Sequence, residues 1–101
     1  MKKYQVTIQK EAIDELDEIY DVICKDSSKR AKKIVFEIKK KLLSLTTFPD
    51  RGSRVKLPQL SQTVRFITHK NFIFFYAIKN DVVCILHITG KGQNWWSLFG
   101  L

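Results

Sequence analysis

Four residues in the second half of the chain pair groups that exchange protons with fixed cations: Arg65, His69, His87 and Lys91. A histidine titrates near neutral pH, and a cation beside a phosphate holds the charge that develops as a bond breaks. Cutting RNA through its own 2′-hydroxyl needs a base at that hydroxyl, a cation at the scissile phosphate and an acid for the leaving oxygen. For such chemistry Arg65, His87 and Lys91 are the catalytic candidates. Plainer readings stand beside each residue. His69 adjoins a hairpin turn, where a solvated ring is ordinary, and His87 sits in a strand, where a packed or locally bonded ring is ordinary. Arg65, a charge inside an apolar strand, needs either a structural ion pair or a functional surface.

The segment after the last strand adds further candidates. Lys91 lies between Gly90 and Gly92, a flexible loop able to contact an anion but without the spacing of a phosphate-binding P-loop. Gln93, Asn94, Trp95 and Trp96 follow it. Two large aromatic residues in so short a tail are expected to divide their work, one anchoring the tail and the other meeting a partner. Cys24 and Cys84 form no metal-ligand spacing and read as ordinary buried thiols. Neither a metal site nor a cofactor is expected.

These side chains have to be positioned by a short series of elements. Tyr4 to Ile8 alternates polar and apolar residues, as in a strand. Ala12, Ile13, Leu16, Ile19, Tyr20 and Ile23 recur at three- and four-residue intervals, the mark of one helix face. The opposite face holds Glu11, Asp14, Glu15, Asp17, Glu18 and Asp21, six of the ten acids. Asp26, Ser27 or Ser28 can cap a second helix, whose buried stripe runs through Ala31, Ile34, Val35, Ile38, Leu42 and Leu45. Lys25, Lys29, Arg30, Lys32, Lys33, Lys39, Lys40 and Lys41 make that segment basic. The opposite charges are expected to solvate the two helices and pair across the hairpin, with a nucleic-acid surface as the alternative.

Residues 46–62 are irregular, punctuated by Pro49, Gly52 and Pro58. Three strands then follow: Thr63 to His69, Phe72 to Ile78 and Val82 to Thr89. Their links, Lys70-Asn71 and Lys79-Asn80-Asp81, contain Asn, which tolerates the left-handed backbone of tight hairpins. Phe66, Phe72, Phe74, Phe75 and Tyr76 read as core. Gln93 to Phe99 is expected to dock as a helical turn. Alternation along the strands sets Arg65, Ile67 and His69 opposite Val64 and Phe66, and His87 and Thr89 opposite Leu86 and Ile88. With the latter sets turned to the helices, Arg65, His69, His87 and Lys91 would converge on an open sheet face.

The expected architecture is therefore α+β: a short N-terminal strand, a two-helix hairpin and a three-stranded antiparallel meander, with the helices on one face. At 101 residues, 45% hydrophobic and 28% charged, residues 1–101 fit one folded domain. Eighteen Lys and Arg against ten Asp and Glu leave a charge of +8, which favours an acidic partner. No apolar run approaches membrane-spanning length, and the first residues lack the pattern of a signal peptide. A cytoplasmic location without membrane association is the expectation.

Particular residues add a resemblance to this order. Leu45, Phe48-Pro49, Gly52-Ser53-Arg54, an Arg65 eleven residues before Tyr76, and Ile85-Leu86-His87-Ile88 running without a gap to Asn94-Trp95 are similar to the RelE/ParE toxin superfamily. The likeness is greater to the ParE branch, the toxins of type II toxin–antitoxin (plasmid stabilisation) systems. Departures are His87 where Arg is usual, Gly90 for His, Gln93 for Arg and Asn94 for Asp. Ile73 stands where the RelE-like ribonucleases resemble one another in carrying a basic residue. The resemblance implies a growth-arresting protein neutralised by a cognate antitoxin that lays an acidic or amphipathic segment along it. It implies DNA gyrase as the target, with Arg65, Lys91, Gln93, Asn94, Trp95 and Trp96 as contact candidates. The alternatives are a RelE-like mRNA endonuclease acting on the ribosome, which would make the chain an enzyme, and a non-toxic nucleic-acid-binding module.

Overall fold

A computed structural model describes residues 2–56 and 60–100. Pro58, expected to punctuate the crossing into the sheet, lies outside the described residues. The first strand, β1 (Gln5–Ile8), leads directly into helix α1 (Lys10–Cys24) and, after a tight turn, helix α2 (Ser28–Leu43). Of the three capping candidates, Ser27 takes the role: its hydroxyl accepts from the Arg30 amide at 3.1 Å. Leu45 is fully buried but lies beyond α2, in a 3₁₀ turn over Ser44–Thr46. A second 3₁₀ turn, Pro49–Arg51, precedes a two-residue strand, β2 (Ser53–Arg54). The meander comprises β3 (Arg65–His69), β4 (Phe72–Lys79) and β5 (Val82–Gly90), and a last 3₁₀ turn spans Trp95–Phe99.

The strands form one mixed sheet in the order β1-β5-β4-β3-β2. β1 runs parallel to β5, pairing Gln5 with Val82 through Ile8 with Ile85, while the other pairs are antiparallel. The fold matches the expected α+β order and adds β2, which is too short to leave a period-two pattern. In the β3–β4 hairpin Lys70, not Asn71, adopts the left-handed backbone at φ 53°; in the β4–β5 hairpin Asn80 does so at φ 56°.

Helices cover one face of the sheet. Ala12 and Leu16 of α1 and Ile38 and Leu42 of α2 bury against Phe74, Tyr76, Val83, Ile85 and Ile88. Each large side chain removed from water here contributes about 1.5–3 kcal/mol, so this layer fixes the helices to the strands. Ile13, expected in that stripe, is 45% exposed because it lies at the edge of the arc. Phe36 lies outside the buried stripe of α2 and is 63% exposed.

The second face is not open. Val64, Phe75, Ala77 and Leu86 form another cluster there, with Phe66, Ile73, Trp95 and Phe99 packed against them. Phe75 meets Trp95 at 5.3 Å and Phe99 edge-on at 5.4 Å between ring centroids. The terminal turn thus serves as a lid of aromatic rings on this face. Both cysteines are free and half-buried rather than fully buried.

Candidate functional site

Arg65 and Tyr76 are direct cross-strand partners on β3 and β4, which explains their spacing: an eleven-residue interval brings the two side chains to one place. Both hold the 3₁₀ turn at Pro49. The Tyr76 hydroxyl donates to the Pro49 carbonyl. Arg65 Nη1 donates to the carbonyls of Asp50 at 3.0 Å and Gly52 at 2.9 Å. Its charge therefore serves backbone oxygens rather than an ion pair. Arg51 reaches back to the end of α2, donating to the carbonyls of Ser44, Thr47 and Phe48 and, at 2.6 Å, to the Ser44 hydroxyl. Gly52 has ordinary extended backbone, φ −69°, so its need for glycine is one of space. A Cβ there would lie 2.1 Å from the Tyr76 hydroxyl oxygen. Burial raises the Tyr76 phenol above its ordinary pKa, a backbone hydrogen bond from Gly52 and the charges of Arg51 and Arg65 opposing it.

The two histidines are placed by carboxylates on the helices. Where β1 ends, the outer edge of β5 lies bare, and Glu15 of α1 covers it: one oxygen accepts from the Ile88 amide at 2.9 Å while the carboxylate meets His87 Nδ1 at 3.1 Å. A β-bulge causes this arrangement. Phe75 pairs with His87 and Tyr76 with Ile85, so Leu86 is an extra residue and His87 shares its face. The expected placing of His87 opposite Leu86 is thereby corrected. On the far side, Glu37 of α2 meets His69 Nε2 at 3.3 Å and Lys70 Nζ at 2.8 Å. Lys70 first and His69 second hold the Glu37 carboxyl below the usual carboxylate range.

The four candidates therefore do not converge. Ile67, between Arg65 and His69 on β3, packs into the helix-side core, whereas Val64 and Phe66 join the opposite cluster. This reverses the expected facing of β3. His87 lies two strands away and turns to Phe99, ring centroids 5.4 Å apart. Lys91 is exposed on the loop after β5, its amide bonded to the Asn71 carbonyl at 2.8 Å.

The tail candidates stay together. Gln93 accepts from the Thr89 hydroxyl at 2.6 Å, and the Asn94 carbonyl receives the Ser97 hydroxyl at 2.8 Å. Trp95 sits in the aromatic cluster, and Trp96, 45% exposed, stands edge-on to it at 5.8 Å. Beside them opens a groove of about 510 Å³ between the second half of α1 and the end of the sheet. Ile19, Val22, Ile23, Phe72, Ile88 and Leu98 line it, with Glu15 and Glu18 as its acidic members.

Glu15 and Glu37 were not legible as site residues. Glu15 lies in the acidic run of α1, indistinguishable by type from five solvated neighbours, and no local signal separates it from them. Charge pairing across the helix hairpin is also absent: among the described residues no acid of α1 lies within 4.0 Å of a basic group of α2. Among the described residues, no cluster of three or more His, Cys, Asp or Glu is arranged to hold a metal. No described helix is long and apolar enough to cross a membrane.

Known structures repeat this framework. A chain from a chromosomal ParDE toxin–antitoxin system of P. aeruginosa superposes with a TM-score of 0.73 at 22% identity, covering 87% of this chain and 96% of that one. A chain of the RelBE2 toxin–antitoxin complex of Mycobacterium tuberculosis gives 0.68 at 15% identity, with 92% and 97% covered. No curated protein sequence matches. At these identities the two likenesses establish the fold. The family sequence model described as the ParE toxin of the type II toxin–antitoxin system parDE matches residues 6–95, taking in β1, both helices, the Pro49–Gly52 turn held by Arg65 and Tyr76, and the whole meander. The chain therefore belongs to the ParE toxin family of type II toxin–antitoxin systems.

Proposed function

We propose that this protein arrests growth by binding its target, DNA gyrase, rather than by cutting message, and that a cognate antitoxin neutralises it. The observation that carries this reading is the commitment of Arg65 and His87 to the framework. Arg65 donates to two carbonyls of the Pro49 turn and His87 meets Glu15, which supports a binding role over a cutting one. Of the contact candidates, those exposed all follow β5: Lys91, Gln93, Asn94 and Trp96. Trp96 is the residue of a kind that anchors protein interfaces.

The groove beside α1 suits the antitoxin. An amphipathic helix can lay apolar residues against Ile19, Val22 and Leu98. Glu15 and Glu18 in its lining favour basic residues beside those anchors, so an amphipathic segment fits this seat and a purely acidic one does not. Purified protein should inhibit gyrase supercoiling in a dose-dependent manner, and Trp96→Ala should raise the dose required at least tenfold. Unimpaired supercoiling at every dose, with primer extension revealing cuts in translated message, would overturn the gyrase reading in favour of the endonuclease.

A further inference from the structure

Helix α2 carries seven basic residues and a single acid, Glu37, which is turned to His69 and Lys70. None of the seven has an acidic partner among the described residues. Helical spacing gathers Lys29, Lys33, Phe36 and Lys40 into one outward stripe, with Lys32 and Lys39 beside it. In the middle of that stripe Phe36 is 63% exposed, and the Lys40 ammonium lies 5.7 Å from the centre of its ring. Such a ring has a cost in water, and no described residue buries it.

The same end of α2 borders a concavity of about 450 Å³. Its walls are Lys40, Lys41, Arg51 and His69, with Ser44 and Glu37 completing them. The Arg51 guanidinium is engaged by the end of α2, which leaves Lys40 and Lys41 as the free cations of the lining among the described residues. Glu37 is the one negative group of the lining, and Lys70 at 2.8 Å offsets it. Lys40 stands between the concavity and the Phe36 ring, joining a pocket suited to anions to a flat apolar platform.

We propose that this face of α2 binds single-stranded nucleic acid, its phosphates at Lys40 and Lys41 and an unpaired base stacked on Phe36. Cations that track a backbone beside an exposed aromatic ring form the general device for single-strand binding. A duplex keeps its bases stacked on one another and has no use for the ring. An acidic protein segment would find the cations but no apolar groove around them. The inference is separate from the growth-arrest reading, since direct binding tests it without any reference to gyrase.

The test is fluorescence anisotropy of the purified protein with labelled oligo-U RNA, oligo-dT and a DNA duplex, each titrated with salt. Both single strands should bind more tightly than the duplex, and the tighter of the two identifies RNA or DNA as the source. Phe36→Ala, an exposed change, should weaken binding about tenfold without altering the salt slope. Lys40→Gln/Lys41→Gln should reduce the slope of log K against log salt by about 1.4, the value for two phosphate contacts to a single strand. Lys25→Gln/Lys79→Gln, with the same loss of net charge, should leave most of the affinity. Thermal unfolding checks that each variant folds. Unchanged affinity in Phe36→Ala, equal losses in the two double variants, or tighter binding of the duplex would overturn the proposal. Displacement of the RNA by an equal concentration of a polyglutamate peptide would overturn it in favour of an acidic protein partner.

Discussion

Replacing Gly52 by alanine tests the central joint of the fold with the addition of one carbon. The new Cβ would lie 2.1 Å from the Tyr76 hydroxyl oxygen, 2.9 Å from the Phe66 carbonyl oxygen and 3.0 Å from Tyr76 Cζ. Tyr76 is fully buried and Phe66 contributes backbone, so neither neighbour can swing aside. Crowding of this kind in a packed interior costs about 1–3 kcal/mol. Driving the phenol off the Pro49 carbonyl leaves two buried polar groups without each other, about 1–3 kcal/mol more. The sum, roughly 2–6 kcal/mol, is a large part of the roughly 5–15 kcal/mol that holds a domain together. Urea unfolding followed by circular dichroism should show the midpoint falling by about 1–4 M, for a slope of about 1.5–2 kcal/mol per molar. Tyr76→Phe alone should cost about 1–2 kcal/mol through the orphaned carbonyl. The double variant removes the atom at 2.1 Å and should be more stable than the sum of the single changes predicts, by about 1–2 kcal/mol. A Gly52→Ala protein within about 0.5 kcal/mol of the parent, or strict additivity in the double variant, would refute the reasoning.

Other changes probe the remaining ties. Glu15→Ala uncovers the edge of β5 and should cost about 1.5–3 kcal/mol; hydrogen exchange at the Ile88 amide should accelerate, with Glu15→Gln intermediate because a carbonyl still accepts. The Glu37 carboxyl, held low by Lys70 and His69, stabilises the fold above the ordinary carboxylate range, and that stability is lost as pH falls through its lowered pKa. Glu37→Gln should flatten the acid limb of a stability-against-pH curve. Tyr76 has the opposite sign: its raised pKa favours the neutral phenol, so stability is full below about pH 10 and declines as pH rises through the folded value. Tyr76→Phe should abolish that alkaline decline. Val22→Asp, at a position 58% exposed in the groove, should keep the fold and the growth arrest but prevent rescue by the co-expressed antitoxin.

The succession of elements was legible because apolar spacing changes from a period near four to a period of two at the crossing into the sheet. The resemblance was carried by the apolar pattern, by Asn94-Trp95 and by Pro49, Gly52, Arg65 and Tyr76, and the last four prove to belong to one structural joint. They announce a fold and say little about a reaction. What could not be read depends on tertiary geometry. The extra residue at the bulge turns Leu86, expected to face the helices, to the second face of β5 beside His87. The facing of β3 was inverted because both sheet faces are apolar, so alternation alone could not tell which one meets the helices. The tail was expected to dock, but its covering of the second face follows from where Phe75 presents its ring. Phe36 stood outside the buried stripe of α2 and among its lysines, where helical spacing alone could have found it although no interleaved aromatic residue was read there.

The parallel pairing of β1 with β5 joins the first strand of the chain to its last, Gln5 beside Val82 and Ile8 beside Ile85. Closing so long a loop is slow relative to local contacts. Until residues 82–88 are in place β1 has no strand partner, and Glu15 has neither His87 nor the Ile88 amide to hold. A nascent chain ending before residue 82 cannot complete its sheet, form the α1 groove or expose a finished tail. The topology thus ties the first helix to the last strand, so that the groove and the docked tail become complete together with the sheet.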